Sequence, residues 1–284
     1  NNLPHTAPKA EKGLSRRSFL RGLALAGTGA AAQALVPAAP GAALAATPAP
    51  KASFEPLVTL LDLSRCIGCG ACVEACREKN LSRVPEPVRP IPKMYPARSR
   101  PEDWSGKKDV SDRLTPYTRL FIQSAEVEYQ GTRHTVHAPR RCLHCENPPC
   151  AKLCPFGAAR RETTGAVTID ESTCLGGAKC RTVCPWEIPQ RQSGVGLYLD
   201  LMPGLAGNGV MYKCDRCQDL LAAGGQPACL TACPQDVQTM GPRSHIMAEA
   251  RRLAAERGHF LYGIEENGGT NAIYLSPVPF DLLD

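Results

Sequence analysis

Fifteen cysteines gathered into four runs limit this 284-residue chain more than any other feature. The central stretch reads Cys142-Leu-His-Cys145-Glu-Asn-Pro-Pro-Cys150-Ala-Lys-Leu-Cys154-Pro155, and later Cys174-Leu-Gly-Gly177-Ala-Lys-Cys180-Arg-Thr-Val-Cys184-Pro185. An earlier run is Cys66-Ile-Gly-Cys69-Gly-Ala-Cys72-Val-Glu-Ala-Cys76, followed by Arg77 rather than proline. The last pairs Cys214-Asp-Arg-Cys217 with Cys229-Leu-Thr-Ala-Cys233-Pro234. A tight loop can turn three thiols inward onto one body while the fourth, further along, points away to another. Proline after the fourth cysteine fixes φ and removes an N–H, so the chain turns out of the site.

Three chemistries compete for such runs. Disulfides suit an exported protein, but fifteen is odd and pairing does not explain Cys-Pro endings on three of the four runs. Zinc uses pairs of Cys-x2-Cys and needs neither the third close cysteine nor the proline. A Rieske centre needs histidine ligands; His144 lies inside a run but reads as a spacer. Iron–sulfur clusters on bacterial-ferredoxin runs remain. Four cubanes want sixteen thiolates, and the missing one is locatable: Gly177 stands at the second-cysteine position of the third run. The expected cofactors are three [4Fe-4S] clusters and one [3Fe-4S], or a fourth [4Fe-4S] with a non-cysteine ligand.

Ligand exchange between runs gives a layout. The second and third runs pair as an inner module and the first and fourth as an outer one. Cys66, Cys69, Cys72 and Cys233 then form one ligand set, and Cys76, Cys214, Cys217 and Cys229 a second. Cys142, Cys145, Cys150 and Cys184 form a third, and Cys154, Cys174 and Cys180 the deficient fourth. Lys179, Arg181 and Lys213 are cations placed to raise potentials or simply to be solvated.

The remaining sequence fits an α+β fold of two ferredoxin-like modules, loop-rich and built around the clusters. Residues 1–46 read as a twin-arginine export signal: Ser15-Arg16-Arg17-Ser18-Phe19-Leu20, a modest apolar segment at 22–36, then Ala43-Leu44-Ala45. That route exports folded proteins, so clusters can be inserted beforehand. Residues 47–57 are a linker; 58–80 and 210–241 form the outer module, 138–209 the inner one, and 81–137 a cysteine-free insertion. Its proline-rich part, 84–101, reads as an extended surface loop, and 118–130 with 132–138 as two strands joined at Gly131. Short strands are expected at 58–62, 135–138, 167–169 and 210–212, one before each run, with a hairpin over 159–170. Residues 242–284 offer a helix over 243–257 stopped by Gly258, then strands at 259–262 and 272–275. The formal charge of +6 falls to +2 once residues 1–45, with five basic side chains and one acidic, are set aside. No basic face for nucleic acid is implied.

Across about 58–241 these four spacings resemble the four-cluster iron–sulfur subunits of dimethyl sulfoxide reductase, formate dehydrogenase-N, respiratory nitrate reductase and hydrogenase-2. The resemblance implies an electron-transfer subunit rather than an enzyme. It would relay electrons between a periplasmic redox subunit and a membrane quinone-reactive subunit. The catalytic partner would be a molybdopterin oxidoreductase or a [NiFe] hydrogenase, with a cytochrome able to replace either partner. In respiratory nitrate reductase the residue matching Gly177 is also not cysteine, and that cluster is a [3Fe-4S]. The tail from Leu261 to Phe280 is most similar to the formate dehydrogenase and hydrogenase-2 members. Those carry a C-terminal membrane helix that is not read here, so a periplasmic protein peripheral to the inner membrane is expected. Two other classes stay open: an enzyme using the open iron corner at Gly177, which lacks an adjacent acid–base pair, and a redox sensor, which lacks an output domain.

Overall fold

The computed structural model describes residues 55–283, apart from 203 and 205–207. The export-signal reading and most of the linker lie outside the described residues. In chain order the elements are β1 (Leu57–Asp62), α1 (Ala71–Asn80), β2 (Phe121–Tyr129), β3 (Thr132–Arg140), α2 (Pro149–Lys152), β4 (Ala159–Arg161) and β5 (Val167–Ile169). There follow α3 (Lys179–Thr182), β6 (Gln190–Gln192), α4 (Tyr198–Leu201), β7 (Val210–Tyr212), α5 (Gln218–Ala222) and α6 (Ala228–Thr231). The chain closes with β8 (Gln238–Pro242), α7 (Arg243–Arg257), β9 (Phe260–Tyr262) and β10 (Ala272–Ser276).

The largest sheet has the order β8-β1-β10-β9. β1 is central, antiparallel to β8 and parallel to β10. Its Val-Thr-Leu-Leu run is buried on both faces, as a strand flanked on both edges and covered by a helix requires. That helix is α7, whose Ile246, Met247 and Ala250 pack on Val58, Leu60, Ile273 and Leu275. Gly258, at φ 66°, ends it by returning its N–H to the Ala254 carbonyl. The C-terminal strands thus share one sheet with the strand that leads into the first cysteine run.

The β2–β3 hairpin forms because Gln130 and Gly131 both take positive φ, 51° and 73°, the primed turn that matches strand twist. β4 and β5 make the small hairpin expected over 159–170. β6 and β8 are additions to the sequence reading: Gln-Arg-Gln and Gln-Thr-Met-Gly-Pro carry little strand signal and are fixed by pairing with β7 and β1. Two glycines show how tight this region is. A Cβ on Gly176 (φ 67°) would enter the backbone of Asn208 and Gly209, and one on Gly209 (φ 79°) the backbone of Gln192 and Ser193.

The proline-rich insertion has no regular structure over 84–101 and is largely exposed, as expected of a surface loop, but it is pinned at a few points. It straps the third run. Val84 and Met94 are buried, and Tyr95 and Asn208 exchange two hydrogen bonds of 2.9 and 3.0 Å. Further along the same strap, Glu102 receives a bidentate pair of bonds, both 2.8 Å, from Arg181 beside Cys180. Arg191 of β6 donates to the same carboxylate. Burial works against the Glu102 charge, but Arg181 and Arg191 outweigh it and hold the carboxyl below its ordinary 4.5.

Glu102→Gln is therefore expected to cost about 2 kcal/mol near neutral pH, the scale of charge-assisted bonds in a partly buried site. Because the folded-state pKa is depressed, this contribution is complete above the ordinary value of 4.5 and is lost as pH falls through the lower folded-state value. Denaturant unfolding of both proteins across that window checks it; a penalty independent of pH would refute the charge account.

Candidate metal-cluster site

Each run opens with the same backbone device. The residue two after the first cysteine is left-handed in all four: Gly68 (φ 70°), His144 (52°), Gly176 (67°) and Arg216 (61°). The turn aims that residue's N–H back at the first sulfur. His144 and Arg216 donate to Cys142 and Cys214 Sγ at 3.4 Å each, and the Gly68 and Gly176 amides do the same for Cys66 and Cys174. Gly177 thereby holds the backbone place of Cys69, Cys145 and Cys217. A Cβ there would meet no atom within 4 Å.

Each run closes on a second device: its last two cysteines are four apart, Cys72 and Cys76, Cys150 and Cys154, Cys180 and Cys184, Cys229 and Cys233. All four pairs begin on helices, α1, α2, α3 and α6. α1 holds both its cysteines one turn apart; in the other three runs the second cysteine lies two residues past the helix end, at Cys154, Cys184 and Cys233. α2 and α6 start behind Pro148 and Pro227, which suit a first turn whose N–H groups lack partners.

The side chains gather in four groups. Cys66, Cys69, Cys72 and Cys233 line one cavity, and Cys142, Cys145, Cys150 and Cys184 another. The thiol of Cys76 faces those of Cys214, Cys229 and Cys217, and Cys180 faces Cys174 and Cys154. All fifteen cysteines are free. Among the described residues no three His, Cys, Asp or Glu side chains converge as they would on a single metal ion. Burial, then neighbouring sulfur, pushes Cys72, Cys150 and Cys217 up to about 12 and Cys180 to about 11. Burial also lifts Cys145 to about 11, against an Asn267 amide that donates to its sulfur at 3.2 Å.

Between the second and third groups lies buried positive charge. Lys213, Arg141 and Arg216 are 4 %, 1 % and 1 % exposed. Besides sulfur, their partners are neutral: Lys213 donates to the Val167 and Cys214 carbonyls, Arg216 to those of Leu57 and Asn271, and Arg141 to Gln238. The Nε atoms of Arg141 and Arg216 have no partner. Cations buried this way are tolerated only beside a compensating negative charge. Burial opposes the Lys213 charge, yet the neighbouring sulfurs of Cys142, Cys150 and Cys214 hold its pKa above normal. An anionic metal–thiolate group fits this lining. Of the three cations singled out in sequence, Lys213 alone is of this kind; Lys179 is exposed and Arg181 is neutralised by Glu102.

His144 is more than a spacer. Its ring is fully buried, accepts the Val167 N–H on Nδ1 at 2.9 Å and places Nε2 3.6 Å from Cys214 Sγ. Burial and the charges of Arg216, Lys213 and Arg141 lower its pKa well below normal, so the ring is neutral. Spacing alone could not show this, since Cys214 is 70 residues away.

Fold and thiols together define a ferredoxin-like iron–sulfur protein. Residues 65–158 and 134–243 each match a 4Fe-4S dicluster domain. The chain is 28% identical to the hydrogenase-2 operon protein HybA of Escherichia coli O157:H7, over 95% of this chain and 83% of that one. It is 30% identical to the iron–sulfur subunit of the nitrate-inducible formate dehydrogenase of Escherichia coli K12 (76% of this chain, 66% of that one). It is 35% identical to the thiosulfate reductase electron transfer subunit PhsB of Salmonella typhi (65% and 74%). The chain belongs to this family of iron–sulfur electron-transfer subunits of respiratory oxidoreductases.

With thiol pKa values of about 11 to 12 in the metal-free chain, iron loading at neutral pH must expel protons. Reconstitution in weak buffer with an indicator dye is expected to register acid release. Iron retention is expected to strengthen as pH rises from 6 to 8, about tenfold per unit for each proton displaced. Loading without proton release would contradict the buried-thiol picture.

Proposed function

We propose that the four cysteine groups hold four clusters in a row and that this chain relays electrons between two protein partners. Clusters bound there supply one-electron transfer at potentials set by sulfur ligation and hydrogen bonding. The observation that carries this reading is the sharing of elements between groups. α1 and the segment from Cys229 to Cys233 join the first group to the second, the segments from Cys150 to Cys154 and from Cys180 to Cys184 join the third to the fourth, and His144 with Lys213 spans the middle. This sharing also supports the division into two ferredoxin-like modules.

The ends of the row differ from its middle. At one end Cys69 is exposed beside Ile67, which is 59% exposed; at the other, half-buried Cys154 lies between Leu153 and Phe156, 51% and 56% exposed. Exposed apolar side chains next to terminal thiols suit transient protein contact. A catalytic redox subunit and a quinone-reactive membrane subunit are the partners that the relatives' names and the sequence resemblance suggest. No described helix is long and apolar enough to cross a membrane. Export by the twin-arginine route, to the periplasmic face, is the localisation that Ser15-Arg16-Arg17 supports. Anaerobic pull-down from native membranes tests the relay: both partners should arrive together, and reductase or dehydrogenase turnover by the isolated chain would overturn it.

The fourth group, Cys154, Cys174 and Cys180, is read as a [3Fe-4S] site because Gly177 supplies no thiolate. Gly177→Cys needs no backbone change, since its Cβ would enter open space. The variant is expected to lose the oxidised-state electron paramagnetic resonance signal of a three-iron centre and to gain one iron per chain. A wild-type protein without that signal, holding four complete cubanes, would refute the assignment.

A further inference from the structure

Position two after the first cysteine must be left-handed, and the first and third runs meet this with glycine. The second run instead places His144 there, in a conformation that strains a residue with a Cβ, and buries its ring completely. Histidine at such a place needs a compensating interaction, and its three nitrogen contacts identify one. The backbone N–H donates to Cys142 Sγ at 3.4 Å. Nδ1 accepts the Val167 N–H at 2.9 Å, which leaves the proton of the neutral ring on Nε2. Nε2 then faces Cys214 Sγ at 3.6 Å. Cys142 and Cys214 belong to different groups, so one residue donates to sulfurs on both sides of the middle gap.

We propose that His144 is the hydrogen-bonded bridge between the two inner cysteine groups, and that its Nε2–H raises the potential of the centre on Cys76, Cys214, Cys217 and Cys229. This rests on the reading that both groups hold clusters. An N–H directed at a thiolate stabilises the more negative, reduced state, and hence raises the potential. The ring keeps its proton, so the transfer it carries is of one electron alone, with no bond made or broken. Because Nδ1 accepts the Val167 N–H, it carries no proton; the ring is neutral and Nε2–H is its one side-chain donor. His144 is thus a positioning and tuning residue, not a ligand.

The test is a redox titration followed by electron paramagnetic resonance on the anaerobically purified complex, with iron analysis, for wild type, His144→Phe and His144→Gln. Cys217→Ser and Cys145→Ser assign the two inner signals. His144→Phe is expected to keep wild-type iron, lower the potential of the Cys214 centre, slow exchange between the inner centres and leave the Cys66 centre unmoved. His144→Gln, whose amide N–H can reach the same sulfur, is expected to restore part of the shift. Full iron with unchanged potentials in His144→Phe would overturn the bridge. Should that variant lose iron, wild type carrying ring-15N histidine decides: nitrogen coupling on the reduced Cys214 centre supports the bridge, and its absence overturns it. Iron-free wild type would instead sink the cluster reading and the bridge together, so iron content separates the two failures.

Discussion

Thiolate sulfur is the counter-charge on which the middle of this chain depends. Lys213, Arg141 and Arg216 are buried with neutral oxygens and sulfur as their partners, and a cation in that setting is expensive unless negative charge stands close. The cysteines have the complementary problem, since burial raises their pKa values and disfavours the thiolate. Metal ligation removes both penalties at once. Folding, charge and cofactor are therefore one problem here, as is general where a site forms only with its metal.

The rest of the architecture serves to hold those sulfurs still. A left-handed residue two after each first cysteine turns an amide onto sulfur, and a helix opening at each later cysteine leads to the one four residues on. The sheet of β8, β1, β10 and β9 ties the first run to the last and to the C-terminal strands. The proline-rich strap clamps the third run through Glu102. Its lack of regular structure does not make it loose, because its polar groups meet those of Arg181, Gln192, Ser193 and Asn208.

In the proposed row, the thiols at the two ends sit in different surroundings from those at the centre. Cys69 is exposed and Cys154 half-buried, beside Ile67 and beside Leu153 and Phe156, where a partner can approach. Of the eight sulfurs in the Cys76 and Cys142 groups all but that of Cys184 are buried, where each hydrogen bond weighs more. A relay needs both conditions, access at the ends and a fixed polar environment within.

Short-range patterns were enough to read the four cysteine runs, the gap at Gly177, the strand ahead of each run and the helix over Arg243–Arg257. These are local signals: a loop of fixed length, a proline, an apolar alternation, a glycine stop. The tertiary structure decided what no local signal encodes. It paired β6 with β7 and β8 with β1, pinned the exposed proline-rich loop across the third run, and buried Lys213 while leaving Lys179 in solvent. It also set the His144 ring against Cys214, 70 residues along the chain. The physical reason is that burial and charge pairing depend on which segments meet, and only packing of the whole chain brings them together.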